Sequence, residues 1–126
     1  MDEIDRKQLY NTVWKHWGAE AQADQLIEEM AELIHALIAA RRNGTFYTYA
    51  VSEEMADVEI CMEQFKTRMQ AFPTTCTNNG KIEIVGCVYD QVEQIKNAKL
   101  ERLKERLMES LSKKHPEAGD HIEGWR

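Results

Sequence analysis

An all-α, four-helix bundle-like domain is the architecture this chain predicts, and three observations carry it. Four stretches space their apolar residues at the helical period, short connections join them, and no stretch finds a second strand to pair with. Only two prolines and six glycines interrupt 126 residues, 43% of them hydrophobic, so a real core is expected, as one domain over residues 1–115.

The first helix is expected from Asp5 to Trp17. Asp5 is its N-cap, Gln8 follows three residues on, and Leu9, Val13 and Trp17 recur every fourth position until Gly18 ends it. The second runs from Ala19 to Arg42 and buries Leu26, Ile27, Met30, Leu33, Ile34, Leu37 and Ile38. Arg41 and Arg42 suit its negative C-terminal end, and Asn43-Gly44 stops it. Thr45 to Tyr49 is aromatic and short, and leads into a third helix over about Ala50 to Ala71. That helix carries Val51, Met55, Val58, Cys61, Met62, Phe65 and Met69 on one stripe and ends at Phe72-Pro73. Thr74 to Asn79 reads as a turn-rich connection. The β-branched run Ile82 to Val88 lacks a sheet partner and so reads as the start of helix four. Helix four continues to about Ser112 with Val85, Val88, Val92, Ile95, Leu103 and Leu107 as its seam, and His115-Pro116 closes it. Residues 116–126 hold two glycines and little apolar surface, and are expected to form a flexible tail.

A net charge of −6 leaves no basic stripe to neutralise a run of phosphates, which argues against nucleic-acid binding. Cys61, Cys76 and Cys87 are an odd set without a Cys-x-x-Cys pair, so a reducing cytosol is expected rather than a disulfide framework. The first residues lack a basic segment followed by an apolar one, and no run approaches the roughly 20 apolar residues of a membrane span. The expectation is a soluble, cytoplasmic protein.

Two acidic pentapeptides stand out, Glu28-Glu29-Met30-Ala31-Glu32 and Glu53-Glu54-Met55-Ala56-Asp57. Residues three apart lie one turn along a helix on the same face, so Glu29 pairs with Glu32 and Glu54 with Asp57. A single such pair is ordinarily solvated surface that complements a helix dipole. A matched pair beside the apolar seams of neighbouring helices is different, because converging carboxylates must be neutralised by a cation or by protons. Hard oxygen ligands favour Mg²⁺, with Mn²⁺ as the alternative.

Lys99 occupies a seam position between Ile95 and Leu103, where an apolar residue is expected. Its stem could simply cover apolar surface. The functional alternative sets its ammonium, with Arg102 one turn on, beside the metal to hold phosphate oxygens. Trp14, Trp17 and Tyr47 are expected in the core or an interface, although an aromatic near the cluster could stack on a nucleobase. Glu32-Leu33-Ile34-His35 is one Glu-x-x-His, whereas a carboxylate-bridged di-iron bundle needs two.

The combination Glu28-Glu29-x-x-Glu32, a spacer of 21 residues, and Glu54-x-x-Asp57 resembles the signature of the MazG-like, all-α nucleoside triphosphate pyrophosphohydrolases. Gly18, Gln22, Gln25, Ala56-Asp57-Val58 and Lys99-Leu100-Glu101-Arg102-Leu103 resemble the small single-domain members, over roughly Trp14 to Leu107. The resemblance implies cleavage between the α- and β-phosphates of a nucleoside triphosphate, with Glu29, Glu32, Glu54 and Asp57 as metal ligands. It implies that a carboxylate of the cluster, or Glu28 beside it, takes the proton of the attacking water. Lys99 and Arg102 would steady the β- and γ-phosphates, and Gln25 would reach sugar or base. A homodimer or homotetramer is implied as well. A non-catalytic helical adaptor and a carboxylate metalloprotein of another kind are the competing readings.

Overall fold

The structure, a computed structural model, describes residues 1–113. In chain order these form α1 (Glu3–Trp17), α2 (Ala19–Arg42), α3 (Tyr49–Gln70), β1 (Pro73–Asn78), β2 (Lys81–Cys87) and α4 (Tyr89–Ser112). The described residues are mostly helical, as the periodicity predicts, with one small two-stranded sheet that it does not. They cluster into two compact units, Met1–Met69 and the residues from Gln70 onward. The expected stop at His115-Pro116 and the tail over 116–126 lie outside the described residues.

In the first unit, α1 begins earlier than Asp5. Asp2 is the N-cap, its Oδ1 accepting the Asp5 backbone N–H at 2.8 Å, while Glu3 and Asp5 complement the dipole from the first turn. The face of α1 that turns inward also differs from the expected one. Leu9 is 46% exposed and Trp17 62%, whereas Tyr10 is buried. Tyr10 reaches across to α3, where its hydroxyl donates to Glu63 Oε2 at 2.5 Å, and Trp14 meets the Phe65 ring edge-on with centroids 5.0 Å apart. A hydroxyl and an indole that can engage groups on α3 win the inward positions over a purely apolar Leu9 stripe.

Gly18 separates α1 from α2 by a single residue. At φ 90° it adopts a backbone that L side chains rarely take, yet its N–H still reaches Trp14 O at 2.9 Å and its carbonyl accepts from Gln22 N at 3.2 Å. The bounds of α2 are those read from the sequence. Thr48 caps α3, its Oγ1 accepting the Val51 N–H at 3.2 Å. Tyr10, Ala40, Val51 and Cys61 form the buried apolar core, with Gln22 as a buried polar neighbour. Of the stripe expected to be buried on α2, Ile27, Met30, Ile34 and Ile38 are exposed, as are Met55 and Met62 on α3.

The second unit corrects the reading of residues 73–88. Ile82 to Val88 is not the start of helix four; β1 pairs antiparallel with β2, from Asn78↔Lys81 at the turn to Pro73↔Cys87 at the open end. Asn79 at φ 51° and Gly80 at φ 76° make the two-residue connection, the left-handed pair that a hairpin turn of the primed kind requires. A register shift opposite Thr74/Thr75 leaves Val85 as an extra residue in β2, a bulge. Val88 N–H closes the unit onto Phe72 O at 2.9 Å, and Asp90 Oδ2 accepts from Cys87 N at 2.8 Å just ahead of α4. No residue of α4 is buried, and Ile95, Leu100, Leu103, Leu107 and Leu111 are all exposed. No helix among the described residues is long and apolar enough to cross a membrane.

Candidate metal centre

Glu29 and Glu32 on α2 meet Glu54 and Asp57 on α3. One carboxylate oxygen from each lies within 4.8 Å of all the others. Local periodicity puts each pair on one face of its own helix, and the Thr45–Thr48 connection returns α3 alongside α2 so that the faces oppose. The pairing is antiparallel, with Glu32 acting on Glu54 and Glu29 on Asp57.

The electrostatics are unfavourable for four bare carboxylates. Like charges this close repel, although solvent at the exposed Glu32 screens part of it. Among the described residues one donor stands beside them: Gln25 Nε2 reaches Glu29 Oε1 at 2.6 Å, which relieves only one of the four. Protonation is therefore eased at two positions. Loss of solvent pushes the Glu29 carboxyl above its ordinary value; Gln25 opposes this, and the charges of Glu32 and Asp57 add to it. Glu32 is likewise pushed up, by loss of solvent and then by the charge of Glu54 and a hydrogen bond the two carboxyls share. Glu29 Oε2 and Glu54 Oε2 are closed off from solvent and have no hydrogen-bond partner among the described residues. Buried acceptors without a donor are costly, so this pair of oxygens suits a cation.

The donor set fits a hard divalent ion. All ligand atoms are carboxylate oxygens, and two oxygens on opposite sides of Mg²⁺ at about 2.1 Å each stand about 4.2 Å apart, close to the spread here.

The other expected site residues fall in different places. Glu28 is exposed and outside the four-carboxylate group, although its charge adds to the rise at Glu32. Gln25 is committed to Glu29, which makes it a partner of one of the four carboxylates. Trp17 ends α1 exposed, edge-on to His16 with centroids 4.7 Å apart. Lys99 and Arg102 lie one turn apart on α4, in the second unit, both exposed.

One neighbour of the centre reads from the sequence only as part of a buried stripe, and one cleft escapes that reading. Cys61, one turn past Asp57, is buried, and burial followed by the charges of Glu29 and Asp57 pushes its thiol up, so it is an uncharged wall of the centre. Beside the carboxylates, a cleft of about 220 Å³ is lined by Glu32, His35, Ala36, Ala39 and Glu54. The spacing of Ala36 and Ala39 from Glu32, four and seven residues, was the available signal. A larger cleft of about 390 Å³ lies between α1 and α3, but its Arg6, Tyr10 and Glu63 already bond one another. No protein-family model, no curated protein and no solved structure matches this chain.

Proposed function

We propose that this chain is a Mg²⁺-dependent nucleoside triphosphate pyrophosphohydrolase of the MazG-like type, cleaving between the α- and β-phosphates to release the monophosphate and pyrophosphate. The observation that carries the reading is the convergence of Glu29, Glu32, Glu54 and Asp57 within 4.8 Å, with two of their oxygens left without donors. These four residues would hold the metal, Mg²⁺ or Mn²⁺, with Gln25 fixing the orientation of Glu29. The bound metal supplies neutralisation of phosphate charge and a water of lowered pKa. Glu28, exposed and next to Glu29, or a carboxylate of the cluster would take the proton of the attacking water. Lys99 and Arg102 are assigned to the β- and γ-phosphates, and Trp17 to the nucleobase, on their residue chemistry alone.

A homodimer or homotetramer is part of the same proposal. Ile27, Ile34 and Ile38 expose one side of α2, and Leu100, Leu103, Leu107 and Leu111 expose a stripe of α4. Contiguous apolar faces of this kind favour burial against another copy. Three free cysteines suit a cytoplasmic setting.

The test is incubation with Mg²⁺ and a panel of ribo- and deoxyribonucleoside triphosphates, scored for pyrophosphate against orthophosphate. Pyrophosphate with the matching monophosphate is expected, lost in chelator. Orthophosphate alone would reject α–β cleavage.

A further inference from the structure

The cleft beside the carboxylates shares Glu32 and Glu54 with the four-acid cluster, so it opens directly next to the candidate metal position. Beyond those two acids its lining is two methyl groups, Ala36 and Ala39, and one imidazole, His35. Lining of this kind discriminates between the two ends of a nucleotide. A di- or triphosphate tail needs cationic partners, and the cleft offers neither lysine nor arginine while presenting two carboxylates. An uncharged sugar and base lose nothing there and gain an apolar floor.

Size and reach agree. At about 220 Å³ the cleft falls below the roughly 300–1,000 Å³ of whole-ligand pockets, so it accommodates part of a nucleotide. Ala39 lies seven residues beyond Glu32, about 10 Å along the helix at 1.5 Å per residue. The space exists because small residues occupy both turns of this stripe, while Ile34, Leu37 and Ile38 fill neighbouring positions of the same helix.

We propose that the cleft over Ala36 and Ala39 seats the nucleoside end of the substrate, and that His35 on its wall contacts that nucleoside and sets which one is preferred. This inference rests on the pyrophosphohydrolase reading of the carboxylate centre. It directs the phosphates away from His35, so that the metal centre divides an uncharged subsite from a charged one.

The test compares Ala39→Leu and His35→Ala with the unaltered protein. Its probes are Mn²⁺ alone, Mg²⁺ with inorganic tripolyphosphate, and Mg²⁺ with non-hydrolysable α,β-imido purine and pyrimidine triphosphates. Ala39→Leu fills the cleft at an exposed helical position with a good helix former. It is expected to weaken the nucleotide analogues by about tenfold or more, while Mn²⁺ and tripolyphosphate stay within about twofold. His35→Ala is expected to change the purine-to-pyrimidine affinity ratio by about fivefold or more, and that ratio is insensitive to a general loss of fold. Undiminished analogue binding to Ala39→Leu, or an equal loss of analogue and tripolyphosphate, overturns the nucleoside assignment. An unchanged ratio in His35→Ala overturns the role of His35. If the unaltered protein binds Mn²⁺ but no nucleotide, the pyrophosphohydrolase reading itself falls, and this inference with it.

Discussion

Glu63 and the Glu54/Asp57 pair stand on the same helix and are treated oppositely. Arg6 Nη1 donates to Glu63 Oε1 at 3.2 Å, and the Tyr10 hydroxyl donates to Oε2. Burial, then the bond and charge of Glu63, push Tyr10 up to about 12. Nearer the start of α3, Glu54 and Asp57 face two more acids, and the one amide seen there among the described residues donates to Glu29. Where a carboxylate ties helices together, the chain supplies its own donors. Where the supplied donors are too few, protons or a cation can relieve the repulsion.

The comparison breaks most visibly under Glu29→Gln or Glu54→Gln. Loss of a metal ligand is expected to lower Mg²⁺-dependent turnover by more than about 100-fold, beyond the roughly 10–100-fold typical of an outer partner. Glu63→Gln should leave kcat/KM within about twofold, since it touches only the α1–α3 junction. Steady-state release of pyrophosphate measures both. Equal losses in the two variants would erase the distinction.

Next in size is the response to pH and metal. Glu29 and Glu32 are raised above their ordinary value of 4.5, so folding takes up protons there. Their contribution to stability is complete below that value and is lost as pH rises through the raised folded values. In chelator, these two groups are expected to raise the melting temperature as pH falls through their raised values towards 4.5. Mg²⁺ at about 100 times its Kd adds about 2.7 kcal/mol at pH 7 and flattens the slope, because it binds the deprotonated form. Identical slopes with and without Mg²⁺ would contradict a shared metal centre.

Gln25→Ala tests the single donor of the cluster. Mn²⁺ affinity is expected to fall about tenfold, read by calorimetry, as for loss of an outer partner. Tyr10→Phe is the smallest change. It removes one bond to Glu63 while Arg6 remains, and should cost about 1–2 kcal/mol in denaturant unfolding without altering Mn²⁺ affinity. The Tyr10 contribution is present below pH 10 and lost as pH rises through about 12. A change in metal affinity in Tyr10→Phe would show that the two ends of the unit are coupled.

Much of this was legible residue by residue. Both ends of α2 are set locally, by Gly18 before it and Asn43-Gly44 after it, and so is the pairing of Glu29 with Glu32 and of Glu54 with Asp57. Helical hydrogen bonds span four residues, so a short window contains everything that decides them. The hairpin was half legible. Asn79-Gly80 is a strong turn signal, but Thr74 to Asn78 resembles a loop until Ile82 to Gly86 is known to pair with it. A strand is defined by a partner that local sequence does not contain.

Tertiary structure alone decided which way each helix is turned. Tyr10 in place of Leu9 faces α3, and Ile34 and Ile38 face outward, because rotation about a helix axis is chosen by the neighbour it packs against. The same choice brings two separate acidic pairs within 4.8 Å, orphans Glu29 Oε2 and Glu54 Oε2, and opens the cleft over Ala36 and Ala39. The acids and their spacing belong to the sequence; their shared charge problem belongs to the fold, since repulsion depends on the distance between helices that only packing sets.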